Sequence, residues 1–200
     1  MNSRPSCGDG ERHWRRFCHP IRTGVDEVMV RPIGPEDADM AQSFVGSLSA
    51  TSRYFRFFQT MKGLSPAMLE RFTCIDHRTH MALVGIALVQ GRQSIIAEAR
   101  YALNVEGGTA DIAIAVADAW QRRGVATGLL DMLERMATAT GVTRLAGESF
   151  AVNETFLSFA RAFGFRIRPD DTDRRVLRVE KQIGECTFIR LGGKRRDPGG

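Results

Sequence analysis

The chain predicts an α/β domain: a central, mixed but mostly antiparallel sheet flanked by helices on both faces. Three observations carry this expectation. Three strand-like runs follow one another at residues 81–90, 94–103 and 109–117, separated by the turn signals Gly91-Arg92-Gln93 and Gly107-Gly108, which is the pattern of an antiparallel meander. The period then changes, and Val125, Leu129, Leu130, Leu133 and Met136 recur at helical spacing. The full order reads β-α-α-β-β-β-α-β-α-β-β with no internal repeat, and a sheet with helices on both faces buries all of these apolar stripes.

Each element has its own signal. Residues 1–24 show no sustained period and read as a flexible basic leader. Residues 28–33 are a short strand, and Pro32 places it near a sheet edge. Gly34-Pro35-Glu36-Asp37 is a turn that starts a helix with acids in its first turn, followed by Met40, Phe44, Val45 and Leu48 on one face. Tyr54-Phe55-Arg56-Phe57-Phe58 is an aromatic-basic cluster in a helix or loop. It reads either as core packing with arginines snorkelling outward or as the lining of a pocket. Ser65 caps a further helix with Pro66 in its first turn. After the meander and the helix that ends at Gly141, residues 142–150 are a strand. Residues 153–163 are a helix stopped by Gly164, and residues 165–168 and 174–183 are closing strands. Residues 184–200 read as a disordered tail, leaving residues 25–183 as the folded domain.

Charge narrows the function classes. The chain of 200 residues carries a net charge of +5, but the leader holds five Arg against two acids and the tail four Lys/Arg against two acids. The folded segment between them balances at 19 basic and 19 acidic residues. A nucleic-acid-binding face is therefore not expected. No apolar run approaches the roughly 20 residues of a membrane span, and no secretory signal stands at the start. The expected location is cytoplasmic. Cys7, Cys18, Cys74 and Cys186 form no C-x-x-C pair, and His77 and His80 lack a third partner, so no metal site is expected.

The segment that carries chemistry runs from Asp111 to Leu130: a strand, a tight loop and a helix start. Gly124 and Ala126 let a ligand approach the backbone. The unpaired amides that open the helix, with the positive end of its dipole behind them, suit a pyrophosphate. Arg122 and Arg123 add charge. Along the strand, Ile112, Ile114 and Val116 share a core-like face. Asp111, Ala113, Ala115 and Ala117 share the other, a face with room on it and one carboxylate at its start.

Gln121-Arg122-Arg123-Gly124-Val125-Ala126 resembles the (Q/R)-x-x-G-x-(G/A) signature of the GNAT (GCN5-related) N-acetyltransferases. Gly147-Glu148, Asn153, Phe156-Leu157, Phe159-Ala160-Arg161 and Phe163-Gly164-Phe165 resemble the family's later strand and helix. Ser52-Arg53-Tyr54-Phe55-Arg56-Phe57 is similar to a subgroup that includes bacterial protein-lysine acetyltransferases. The resemblance covers residues 28–183 and implies a GNAT-like sheet with acetyl-CoA as acyl donor. It implies that amides from Gln121 to Thr127, including those of Arg122, Arg123, Gly124, Val125 and Ala126, hold the pyrophosphate. The pantetheine arm pairs with the backbone at Ile114 and Val116, and Asn153 bonds near it. The acceptor is a primary amine, on a protein lysine or a small molecule.

A lysine-type ammonium, with a pKa of about 10.4, must lose a proton before it attacks a thioester. Asp111 is the first candidate base, where the resembling lysine acetyltransferases carry a glutamate. The shorter side chain favours a water relay. Glu148 is second. Glu98 is third, with an ordinary cross-strand ion pair as its structural alternative. A strand N–H such as that of Val116 can hold the oxyanion. Many GNAT enzymes carry a tyrosine general acid where this chain has Ala160, and Ser158 is a remote substitute. These departures leave a second reading open: a catalytically inactive sensor that binds acyl-CoA. A homodimer through an exposed edge strand near the C-terminus is compatible with the pattern.

Overall fold

The computed structural model describes residues 19–23, 26–104 and 108–184. Eight strands form one sheet: β1 His19–Thr23, β2 Asp26–Pro32, β3 His80–Val89, β4 Arg92–Leu103, β5 Thr109–Val116, β6 Arg144–Phe150, β7 Arg166–Pro169 and β8 Val176–Gln182. Their order across the sheet is β1-β2-β3-β4-β5-β6-β8-β7. Each neighbouring pair is antiparallel except β5 and β6, which run parallel. The helices are α1 Ala38–Ser47, α2 Ala50–Phe57, α3 Pro66–Thr73, α4 Val125–Ala139 and α5 Glu154–Ala162.

The two sheet faces bury separate cores. On one face α4 lays Val125, Leu129, Leu130 and Leu133 against Val28, Leu83, Ala97 and Tyr101, with Leu157 and Ala160 of α5 joining them. On the other, Phe44 and Val45 of α1 and Phe72 of α3 pack against Val84, Ile86 and Ile95. Period-2 strands facing helices on both sides produce this layering. The α/β class expected from the sequence is the class observed.

Two local readings change. β1 forms inside the segment expected as a leader. The run His19–Thr23 has no alternation of its own and gains its order from pairing with β2, His19 opposite Val30 and Thr23 opposite Asp26. Residues 1–18 of that leader, and the expected tail from 185 onward, lie outside the described residues. β2 is the second strand from that end of the sheet, near its edge as expected. Its Pro32 lies two residues beyond Val30, the last β1 partner among the described residues, and the Ile33 N–H that follows donates to Ala82 of β3, so the proline nitrogen faces away from β3.

The second change concerns the aromatic-basic cluster, which lies on the helix α2, capped by the Ser49 hydroxyl on the Ser52 N–H. Its polarity is reversed relative to core packing. Arg53 turns inward and donates to the carbonyls of Met61, Gly46 and Leu48. Arg56 turns inward onto Glu98, while Tyr54 and Phe58 stay about 40% exposed.

Candidate active site

A cleft opens where two parallel strands part. β5 and β6 pair over three positions only, Thr109 with Arg144, Ala110 with Leu145 and Asp111 with Ala146. Beyond them β6 keeps its pairing to β8 as far as Phe150, and β5 runs on alone on that side. The resulting cavity of about 1170 Å³ is lined from both faces of the sheet, which makes it as large as generous ligand sites. Ala117 donates its N–H to Ile96 on β4. By strand alternation the backbone groups of Ile112, Ile114 and Val116 therefore point the other way, into the cleft. At the closed end Gly147 lets β6 approach, since a Cβ there would stand 3.2 Å from the Ile112 carbonyl oxygen.

The loop after β5 is shaped for an anion. A 3-10 turn at Asp118–Trp120 leads into it, and the Gln121 side chain donates to the Val116 carbonyl at 3.1 Å. The Gln121 N–H is used by that turn, through Asp118, so the free run of amides starts later than expected. Arg122 and Gly124 both adopt left-handed backbone, with φ of 59° and 82°. Gly128 makes the first intrahelical bond, to Gly124. The amides of Val125, Ala126 and Thr127 thus stand ahead of it, and no side chain caps them. A Cβ at Gly124 would meet nothing within 4 Å; the space before the helix is open. Arg122, Ala126 and Thr127 line the cleft. Arg123 instead lies over the Trp120 ring at 5.2 Å, and the Val125 side chain is buried in the core. Asn153 caps α5, its Oδ1 accepting from the Phe156 N–H at 3.3 Å.

The opposite face of the same cleft is acidic. Asp111 stands level with Ala146, and Glu148 follows two residues later on the same face of β6, opposite Arg178 of β8. Glu148 reaches Arg178 only at 3.9 Å and is half exposed, because Asp170 holds Arg178 at 2.6 Å. Helix α2 roofs this face. At one end the Asp118 carboxylate accepts from the Ser49 N–H and from the Ser49 and Ser52 hydroxyls, at 2.9, 2.8 and 2.9 Å. Burial pushes the Asp118 carboxyl up, but these bonds together outweigh it and hold it below the ordinary value. At the other end Tyr54 and Phe58 stack on Phe150, ring centroids 4.9 and 4.6 Å apart. The helix therefore spans from the end of β5 to the end of β6.

The family model of GNAT acetyltransferases matches residues 48–165, more than half of the chain. The chain belongs to the GNAT family. A curated acetyltransferase of Pseudomonas aeruginosa is 30% identical over 154 residues, covering 76% of this chain and 83% of that one. Among solved structures, the GNAT domain of S. lividans PAT superposes with a TM-score of 0.75 at 28% identity, covering 90% of this chain and 99% of that domain. A cAMP-binding acyltransferase from Mycobacterium smegmatis shares the fold, with a TM-score of 0.58 at 22% identity; it covers 90% of this chain, which spans 52% of that one. GNAT acetyltransferases move acetyl groups, and acyl transfer is the chemistry this membership supports.

Against the GNAT pattern, Asp111, Glu148, Ile114, Val116, Gln121, Arg122, Gly124, Ala126, Thr127 and Asn153 all line one cleft. Arg123 and the Val125 side chain do not. Ala160 is 1% exposed within the core, so that position carries no acid, whereas Ser158 lies on the cleft wall. Glu98 is fully buried and joined to Arg56 of α2 at 3.1 Å and to Arg100. Burial pushes its carboxyl up, but the Arg100 and Arg56 guanidiniums outweigh this and hold it low. It is not an ordinary cross-strand pair, and it has no access to serve as a base. Ser49, Asp118 and Arg178 on the cleft wall were not singled out in the sequence, nor was Phe150 against α2, and Ser52 stood only as the first residue of the subgroup motif. Only Asp118, directly after the strand, carried a local signal; the others reach their places through long-range packing. Among the described residues no helix is long and apolar enough to cross a membrane.

Proposed function

We propose that this GNAT protein transfers the acetyl group of acetyl-CoA to a primary amine. One observation carries the reading: a single cleft joins an uncapped helix start on one sheet face to a carboxylate-bearing surface on the other. The pyrophosphate sits on the amides of Val125, Ala126 and Thr127, with Arg122 beside it. The pantetheine arm pairs with Ile114 and Val116 as an added strand. From Val116 to Asp111 the strand runs about 17 Å, which carries the thioester toward Asp111.

Asp111, through a water, takes a proton from the acceptor ammonium, and the amine nitrogen attacks the thioester carbon. A cleft-facing N–H of β5 close to the thioester, rather than that of Val116 about 17 Å from Asp111, stabilises the oxyanion. The C–S bond then breaks, and the thiolate leaves and takes up a proton. A thiol pKa of about 8.5 makes it a fair leaving group without a strong acid. That is compatible with the buried Ala160. Glu148 and Glu180 on the same wall favour a cationic acceptor.

The test is thiol release from acetyl-CoA with a panel of primary amines. Amine-dependent release that falls by 100-fold or more in Asp111→Ala, on the order expected for loss of a general base, supports the reading. Acetyl-CoA binding without turnover of any amine contradicts it and favours a sensor.

A further inference from the structure

A buried charge cluster that the transfer chemistry does not use lies against the acceptor side of the cleft. Glu98 is 0% exposed, Arg56 12% and Arg100 20% in their side chains. Arg100 leaves no buried nitrogen without a partner: it donates to Glu98 and to the Phe72 carbonyl, and it lies 4.0 Å over the Phe72 ring. Arg56 does leave one. One of its terminal nitrogens reaches Glu98, its guanidinium lies 5.0 Å from the Phe57 ring centroid, and its buried Nε has no hydrogen-bond partner. Two guanidiniums against one carboxylate leave one excess positive charge, and an orphaned buried donor is costly unless something satisfies it. Arg56 is also a wall residue of the cleft.

We propose that Arg56 binds a carboxylate of the acceptor, so that the acceptor is a small amino-acid-type molecule acetylated on an amine remote from that carboxylate. This rests on the acetyl-transfer reading above. Glu98 stands opposite Ala115 on β5, and Ala115 is four residues from Asp111, about 13 Å along the strand. An anion at Arg56 and an amine near Asp111 are therefore separated by a spacer of several bonds. An ω-amine fits that spacing and an α-amine does not. The α2 roof and the small exposure of Arg56 suit a small molecule better than the side chain of a folded protein. The cluster also tolerates the loss of Arg56, since Glu98 and Arg100 remain as a neutral pair.

The experiment compares kcat/KM for Nα-acetyl-lysine with that for its C-terminal amide, in wild type, Arg56→Gln and Arg56→Lys. Wild type is expected to prefer the free carboxylate by about tenfold or more, the scale of one charge-assisted hydrogen bond, with the difference carried by KM. In Arg56→Gln the ratio falls to near one, and Arg56→Lys recovers part of it. A wild-type ratio near one, or a ratio unaltered in Arg56→Gln, overturns the inference while leaving acetyl transfer standing. The wild-type ratio alone suffices should a variant fail to fold. A preference seen only in peptides, Lys-Asp over Lys-Asn, overturns the small-molecule assignment. Acetylation of no amine at all overturns the acetyl-transfer reading and this inference together.

Discussion

At the residue scale, the site depends on a few positions whose neighbours fix what they can do. Asp111 was legible because a strand with isoleucines on one face and alanines on the other leaves its lone carboxylate conspicuous. Two adjacent arginines look alike in sequence, whereas the backbone turn at Arg122 puts the Arg122 side chain on the cleft wall and that of Arg123 over the Trp120 ring. Asp118 offers a pH test. Its folded carboxyl lies below the ordinary value of 3.8. A lowered folded value means that its contribution is fully present above the unfolded value and is lost as pH falls through the folded one. Amide exchange in α2, measured at matched intrinsic rates, is therefore expected to quicken as pH drops below about 4. Asp118→Ala should show that faster exchange at neutral pH. Unchanged exchange in the variant would mean that the serines do not tether the helix.

At the element scale, β1 meets the signature helix at Gly128, where Ile21 lies against the glycine. A Cβ there would lie 2.4 Å from Ile21. Gly128→Ala gains about 1 kcal/mol of helix propensity, but the clash with a stiff β-branched side chain is expected to cost about 1–3 kcal/mol. Urea unfolding should show the single variant destabilised and Gly128→Ala with Ile21→Ala restored or improved. A single variant more stable than wild type would show that β1 gives way freely. The same contact explains why β1 escaped a sequence reading. Its residues have no periodicity, and its partners, β2 and α4, supply the order. Helix α2 was ambiguous for a related reason. Its arginines point inward because Glu98, 42 residues away, and nearby loop carbonyls receive them, and nothing local announces such partners.

At the scale of the whole molecule, the layered sheet and the position of the cleft were legible, since strand alternation, helix period and turn residues all act locally. The split between β5 and β6 is the step that local signals do not carry. It depends on β6 following β8 while β5 follows β4. The buried cluster that joins α2 to the sheet makes a stability prediction at this scale. Glu98→Gln leaves two guanidiniums buried without a counter-charge and should cost about 3–5 kcal/mol, read as a large fall in melting temperature. Arg56→Gln should fall much less. Equal losses would mean that the cluster's charge balance does not govern its stability.

The proposed acetyl transfer requires that the uncapped start of α4 hold the pyrophosphate of acetyl-CoA. Calorimetric titration of the full chain with acetyl-CoA, beside a Gly124→Glu variant whose fold is checked by circular dichroism, tests it most directly. The new side chain would enter open space in front of the amides and bring a negative charge to the anion site. Saturable binding by the wild type and none by the folded variant is expected. Binding by neither protein, or equal binding by both, would contradict it.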